Sequence, residues 1–178
     1  KVGIIAQPDW RTEKDITRLG RPRLFFGVTA GNVDSMVANY TASKKKRKTD
    51  DYTPGGSGGK RPDRATIVYT NLIKRFFPEV PVVLGGLEAS LRRFAHYDWW
   101  SEKVRKSILI DSKVDLLVYG MGEKAVLEIA QILSRTGDIE KCKSVRGVVW
   151  WSSQKPEGGI ELPSYDEISE NPEKYAEA

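Results

Sequence analysis

The chain has very few of the side chains that build metal and redox sites. Its 178 residues contain one cysteine, Cys142, and one histidine, His96. One cysteine cannot form an intramolecular disulfide, and one histidine with one distant cysteine does not make an ordinary zinc site. No apolar run approaches the roughly 20 residues that a membrane helix needs, and no signal-peptide pattern is present. We therefore expect a cytoplasmic protein with no metal site and no membrane partner.

Composition is that of a globular protein, with 39% hydrophobic and 30% charged residues. The net charge of +5 is uneven, because residues 152–178 hold seven acidic side chains against two lysines. Residues 1–151 therefore carry +10, a balance that can attract anionic partners or simply be solvated. We expect residues 1–151 to form one domain and residues 152–178 an acidic linker or tail. The first residues lack a methionine and already read as a strand, which suggests part of a longer protein.

Two apolar runs end abruptly in glycine. Residues 81–84 precede Gly85 and Gly86, and residues 116–119 precede Gly120 and Gly122. Buried parallel strands read as such runs, and glycine lets the chain turn sharply or approach a ligand closely. The pattern also predicts strands at 2–6, 23–28 and 145–151, and helices at 34–40, 63–77, 98–110 and between Gly122 and Gly137. This alternation predicts an α/β fold with a Rossmann-like, doubly wound, mainly parallel sheet.

Ligands of such sheets bind outside the carboxyl ends of the strands. We expect residues 7–10 and the loops after the other strands to gather there. Glu88 and Glu123 could act as an acid–base pair, hold a ribose hydroxyl or stabilise the positive end of the following helix. Arg92 could hold phosphate or carboxylate or form a structural ion pair, and His96 could exchange protons or pack among aromatics. The candidate edge residues are Thr29, Gly31, Asn32, Gly85, Gly86, Glu88, Arg92, His96, Gly120, Gly122 and Glu123.

A long segment, residues 41–62, combines a basic run with a glycine-rich stretch. Charge repulsion and glycine entropy both oppose regular structure there, and Asp63 is the expected N-cap of the next helix. The basic run could bind RNA phosphates or be an ordinary solvated loop. Cys142, between two lysines, is expected to be a surface thiol. The basic residues are Lys44, Lys45, Lys46, Arg47 and Lys48.

Several runs are more specific when taken together than any one alone. They are residues 2–10 (VGIIAQPDW), 25–32 (FFGVTAGN), 61–66 (RPDRAT), 85–93 (GGLEASLRR) and 119–123 (YGMGE). Together they resemble the amino-terminal region of the YgiQ family of radical SAM proteins. The resemblance implies a cobalamin-binding-like Rossmann domain that precedes a radical SAM barrel. It also implies a [4Fe–4S] cluster and S-adenosylmethionine in the longer parent protein, with the downstream radical SAM domain as a partner.

Two departures from the family pattern limit what the resemblance transfers. The three-cysteine motif that holds the cluster is missing, and Cys142 alone cannot supply the thiolates that such clusters need. The resemblance allows cobalamin, but the Asp-x-His-x-x-Gly motif of cobalt-ligating domains is also missing. We therefore assign no catalytic residue and no cofactor to this chain. Three hypotheses follow: an accessory domain that lines or covers the active site, an RNA-delivery module that uses the basic loop, and a scaffold without a ligand.

Overall fold

The computed structural model describes residues 1–177 and contains six short strands and eight α-helices within that range. The strands are β1 (Phe26–Val28), β2 (Val82–Leu84), β3 (His96–Asp98), β4 (Lys103–Arg105), β5 (Leu116–Val118) and β6 (Val148–Val149). The helices are α1 (Lys14–Thr17), α2 (Ser35–Asn39), α3 (Ala65–Phe76), α4 (Gly86–Leu91), α5 (Ile108–Ser112), α6 (Glu123–Thr136), α7 (Tyr165–Glu170) and α8 (Pro172–Glu177).

A four-stranded sheet in the order β1-β2-β5-β6 forms the centre of the fold. The first three strands run parallel, with Val28 beside Leu84 and Leu84 beside Leu117. Strand β6 runs antiparallel to β5, with Val118 beside Val148. Strands β2 and β5 are buried along their whole length, as their uninterrupted apolar sequences predict. The mixed, mainly parallel sheet confirms the α/β, Rossmann-like prediction.

Helices cover both faces of this sheet. On one face, apolar side chains of α3 and α5, including Ile73 and Ile108, pack against Leu84 and Leu117. On the other face, Ile129 of α6 packs with Leu116 and neighbouring apolar side chains. Helix α6 ends where expected, because Gly137 adopts φ +66° and its N–H donates to the Leu133 carbonyl at 2.8 Å. Two apolar layers around one sheet therefore position the loops at its edges.

The predicted strand at residues 2–6 is wrong. These residues have no strand structure, and Val2 and Ile4 are almost fully exposed. Strand β1 pairs only with β2 among the described residues, so residues 2–6 do not add a strand beside it. Local apolar character predicted a strand here, but a strand also needs a neighbour for its backbone hydrogen bonds.

The predicted helix at residues 98–110 is also wrong over most of its length. Strands β3 and β4 form an antiparallel hairpin in which Asp98 lies beside Lys103. The Asp98 carboxylate accepts hydrogen bonds from the Ser101 hydroxyl at 2.6 Å and its N–H at 3.3 Å, which stabilises the turn. Glu102 then takes φ +55°, outside helical geometry. Only α5 is helical, with Ser107 as its N-cap.

Two smaller expectations fail for related reasons. Asp63 is not an N-cap; it accepts hydrogen bonds from Asn39 and Tyr40, both at 2.7 Å, while Arg64 occupies the capping position at φ +50°. Cys142 is not a surface thiol but is fully buried against α6. Burial raises the pKa of its thiol, and nearby Asp138 adds to the effect. In both cases a tertiary neighbour overrides the local sequence pattern.

The basic and glycine-rich segment, residues 41–62, is folded although it has little regular structure. Isolated bridges pair Tyr40 with Lys46 and Thr49 with Ser57. A buried ion pair between Arg61 and Asp50, at 3.2 Å, holds its second half. Burial alone would raise the pKa of Asp50, but the hydrogen bonds from Arg61, the Tyr52 N–H and the Thr53 hydroxyl outweigh it, so the pKa is lowered. These polar contacts thus order a segment that its charged and glycine-rich composition predicts to be irregular.

The acidic end of the chain folds back onto the hairpin. Ser164 and Glu167 form a reciprocal capping box that starts α7, and Ile168 is buried. The Tyr97 N–H of β3 donates to the Tyr175 hydroxyl of α8 at 3.0 Å. A boundary at residue 151 stays a prediction. Among residues 1–177, no helix is both long enough and apolar enough to cross a membrane.

Candidate functional site

Three loops that follow β1, β2 and β5 meet at the carboxyl edge of the sheet. Gly86 adopts φ +84°, and a Cβ at this position would lie 2.2 Å from the Thr29 Oγ1, so only glycine fits. The Gly120 N–H donates to the Ser90 hydroxyl at 3.0 Å and links the loop after β5 to helix α4, which follows β2. The Gly85 N–H donates to the Val28 carbonyl at 2.9 Å. The three loops therefore form one surface.

The remaining glycines of this edge also allow close packing. Gly31 has φ +98°, and a Cβ there would lie 3.3 Å from the Arg61 guanidinium. Gly122, the N-cap of α6, leaves no room for a side chain because a Cβ would lie 2.7 Å from Val118. Gly31, Gly86 and Gly122 thus each keep a neighbouring side chain close, whereas nothing lies within 4 Å of the Cβ position of Gly120.

Large apolar side chains stand on this edge, and sequence reasoning missed them. Met121 is 92% exposed, and Leu87 and Tyr119 are also exposed. The Arg93 guanidinium lies 5.2 Å from the centre of the Tyr119 ring. Their sequence signal is an apolar residue directly beside a glycine turn, where a loop would ordinarily be polar. We call the following set the carboxyl-edge surface: Thr29, Asn32, Gly86, Leu87, Tyr119, Met121 and Glu123, all of them exposed.

Glu88 lies beneath this surface rather than on it. It is 2% exposed, and its carboxylate accepts hydrogen bonds from the Ser35 N–H at 2.7 Å and the Thr66 N–H at 3.1 Å. It also accepts one from the Thr66 hydroxyl. Because Ser35 begins α2 and Thr66 lies in the first turn of α3, one negative charge satisfies free donors of two helices. In this structure Glu88 positions the loops, and both of its oxygens are engaged.

Arg92 is engaged in a similar way. Its guanidinium pairs with the buried Asp34 carboxylate and lies 3.4 Å from the Glu88 carbonyl. Asp34 is itself the N-cap of α2, since its other oxygen accepts the N–H groups of Met36 at 2.9 Å and Val37 at 3.2 Å. The ion-pair alternative therefore describes Arg92 here.

His96 lies on the β3–β4 hairpin. Its Nδ1 is 3.2 Å from the Phe94 carbonyl oxygen. Burial lowers the pKa of its imidazole, and Arg92 and Arg105 act in the same direction, while the Phe94 carbonyl and Asp98 oppose them. A cavity of about 10 Å³, the size of one water, lies among His96, Glu88, Arg92 and their neighbours.

His96 also borders a larger groove of about 610 Å³ between the hairpin, β6 and the carboxyl-terminal helices. No residue of the carboxyl-edge surface lines it, so the groove and the edge are separate features. Residues 7–10 contact the 41–62 segment, because the Gln7 amide donates to the Thr53 hydroxyl at 2.6 Å. The groove is bordered by Arg93, Phe94, Trp150, Trp151, Tyr165 and Tyr175, among others.

Comparison with known proteins decides the family. The family model described as radical SAM N-terminal matches residues 1–178. The chain belongs to this family. It is 98% identical to a UPF0313 protein of Thermotoga neapolitana and 53% identical to one of Geobacter sulfurreducens, with the whole chain aligned in both cases. It spans 31% and 30% of the lengths of those two relatives. No solved structure matches the chain.

Membership of the radical SAM N-terminal family raises the question of whether these residues fit an iron–sulfur cluster. They do not. Among residues 1–177, no group of three or more histidine, cysteine, aspartate or glutamate side chains is arranged to hold a metal ion. The single thiol, Cys142, is buried in the apolar layer beneath α6. Cluster iron requires several thiolates, so no step can be derived through a cluster on this chain.

The basic run lies outside the edge. Residues 44–48 are all exposed. Lys44 pairs with Glu102 at 2.5 Å, and the Arg47 guanidinium donates to the carbonyls of Val37 at 3.2 Å and Tyr40 at 3.1 Å. The same folded segment reaches the edge through Arg61, which donates to the Ala30 carbonyl. The carboxyl end of the 41–62 segment therefore contacts the loop after β1, while the basic run does not.

Proposed function

We propose that this chain is the amino-terminal accessory domain of a radical SAM protein, and that its carboxyl-edge surface lines or covers the active site of the downstream domain. The observation that carries the proposal is the exposed apolar group Leu87, Tyr119 and Met121, which lies directly after the adjacent parallel strands β2 and β5. Exposed apolar patches with polar rims are typical of interaction sites. The occupant that we propose is the rest of the same protein, because this chain spans about three tenths of its relatives.

The chemistry would come from outside the chain. A radical SAM protein uses a [4Fe–4S] cluster to cleave S-adenosylmethionine reductively, and the cluster thiolates would belong to the downstream domain. This chain would shape one wall of the active site and exclude water from it. Gly120, with no atom within 4 Å of its Cβ position, allows another backbone to approach closely, and Met121 and Leu87 provide the apolar cover.

The polar groups of the edge suit substrate positioning. Thr29 and Asn32 are exposed on the loop after β1 and Glu123 is exposed at the start of α6, and they offer a hydroxyl, an amide and a carboxylate. Together they can orient a polar substrate by hydrogen bonds, while Glu88 fixes the helices behind them. Glu88 and Arg92 are therefore proposed as positioning residues.

The experiment uses the full-length protein, reconstituted anaerobically with iron and sulfide. We expect M121E and L87E to keep the iron–sulfur absorption bands but to lower 5′-deoxyadenosine formation from S-adenosylmethionine by about tenfold or more, since small displacements at an active site are costly. The matched control is L19E, because Leu19 is 56% exposed and precedes β1. Equal activity in the edge variants and the control would refute the edge assignment. A reconstituted protein without cluster absorption would refute the radical SAM assignment.

A further inference from the structure

Residues 40–49 form a basic hairpin whose shape is fixed by hydrogen bonds. The Thr41 N–H donates to the Lys45 carbonyl at 2.8 Å, and the Arg47 N–H donates to the Asn39 carbonyl at 2.7 Å. The Arg47 guanidinium donates to two further carbonyls, that of Val37 in α2 and that of Tyr40. A run of five basic residues is usually solvated and mobile, but here it is displayed on a folded support.

Most of this positive charge is not neutralised within the chain. Lys45, Lys46 and Lys48 are exposed, and no carboxylate among residues 1–177 lies within ion-pair distance of them. Lys60 is also exposed and has no such partner in that range. The positive charge that is not neutralised therefore extends beyond residues 44–48 to Lys60.

A neighbouring segment adds to the same face. The Arg11 guanidinium donates to the Gly59 carbonyl at 3.3 Å, and the Lys46 ammonium lies 3.9 Å from the point where a Gly59 Cβ would stand. The exposed acids nearby are Asp9, which is 3.5 Å from Arg11, Glu102, which pairs with Lys44, Asp51, and Asp63, which accepts a hydrogen bond from the Tyr40 hydroxyl at 2.7 Å. Cations from three parts of the chain thus converge.

Aromatic rings flank this basic face, although none lies within the basic run itself. Tyr40 and Trp100 have ring centres 4.2 Å apart, and Trp99 meets Trp100 edge-on at 5.6 Å. The Lys44–Glu102 ion pair joins the basic hairpin to the turn that carries both tryptophans. Tyr52, in the same folded segment, is 56% exposed. The fold therefore supplies the stacking groups that are absent from the linear sequence.

We propose that the basic hairpin, with Lys60, Tyr52 and Trp100, binds single-stranded RNA. Lysines that lack carboxylate partners can bind phosphates and release their counterions, and the exposed ring of Tyr52 and the half-buried ring of Trp100 can stack on unpaired bases. An acidic protein would use the charge but not the rings, and a duplex does not offer unstacked bases. Arg61, at the end of the same segment, donates to the Ala30 carbonyl in the loop after β1. RNA binding by the hairpin does not depend on what the carboxyl-edge surface faces.

The test measures binding of a fluorescently labelled oligouridylate of about 15 nucleotides to the full-length protein, by anisotropy across a salt series. We expect K45Q/K46Q/K48Q to weaken binding about tenfold or more at low salt and to reduce the slope of log affinity against log salt by about 2. The control K113Q/K124Q/K141Q removes the same charge from exposed lysines elsewhere and should bind as the unmodified protein does. Y52A should weaken binding about fivefold or more.

Three outcomes would overturn the proposal. The first is no binding at low salt, and the second is equal weakening by the two lysine triples. The third is displacement of the RNA by polyglutamate at equal charge concentration, together with unchanged RNA binding by Y52A. That result would mean that the basic hairpin binds an acidic protein. Unchanged melting temperatures of all variants separate loss of binding from loss of folding.

Discussion

The carboxylate of Glu88 accepts the backbone N–H of Ser35 at 2.7 Å, although 53 residues separate them in the chain. The same carboxylate accepts the Thr66 N–H at the start of α3. Two helices that begin near the carboxyl edge are thereby held by one buried anion on α4. The position of the loops above it, and with it the proposed active-site cover, depends on this contact.

The first prediction concerns the charge of Glu88. We expect E88Q to lower the free energy of unfolding by about 2 kcal/mol or more, because the amide replaces one accepting oxygen by a donor that faces an N–H. Chemical denaturation measures the change. The matched variant is E123Q, on an exposed glutamate of the edge, for which the effect should be within about 0.5 kcal/mol. Equal stabilities of E88Q and E123Q would contradict the positioning role.

The second prediction separates two glycines with similar backbone angles. G86A should destabilise the fold by about 2 kcal/mol or more, since a Cβ would meet the Thr29 hydroxyl at 2.2 Å and φ is +84°. G120A should cost only about 1 kcal/mol, because φ is +68° but nothing lies within 4 Å of its Cβ. Combining G86A with T29G should recover part of the loss. If both glycine variants lose the same stability, the close contact between the loops is wrong.

The third prediction concerns the single histidine. Because burial lowers the pKa of His96, its imidazole should titrate below 6.5 in the folded protein and near 6.5 in urea. The unfolded chain therefore binds the proton more readily, and stability should fall as the pH drops from about 6.5 through the folded pKa. Proton NMR of this one ring, recorded on the 178-residue chain, gives both midpoints. A folded midpoint at or above the unfolded one would contradict the burial of His96.

The fourth prediction tests what orders the basic segment. Arg61 and Asp50 form a buried pair, so R61M should leave an unpaired carboxylate and cost about 3 kcal/mol. Trypsin should then cleave within residues 44–48 faster than in the unmodified protein. The double variant R61M/D50N should lose less than the sum of the two single changes. Additive losses would mean that the pair is not coupled.

The sequence predicted the parts of the fold that depend on local pattern. The fully apolar runs of β2 and β5, and the glycines that follow them, were sufficient to predict the central strands and the edge. The β3–β4 hairpin was missed because its turn depends on the Asp98 side chain rather than on periodicity. The roles of Glu88 and Arg92 were left open because their partners, Ser35, Thr66 and Asp34, lie more than 20 residues away. Long-range contacts of this kind leave no mark in a local pattern.

The central claim, that the carboxyl edge faces the downstream domain, is tested most directly by photo-crosslinking in the full-length protein. A benzophenone amino acid replaces Met121, which is 92% exposed in this chain, or Leu19 as the control. Peptide mass spectrometry then identifies the residues that are joined. We predict crosslinks from position 121 to the downstream domain and none from position 19. No crosslink from position 121, or equal crosslinking from both positions, would contradict the account.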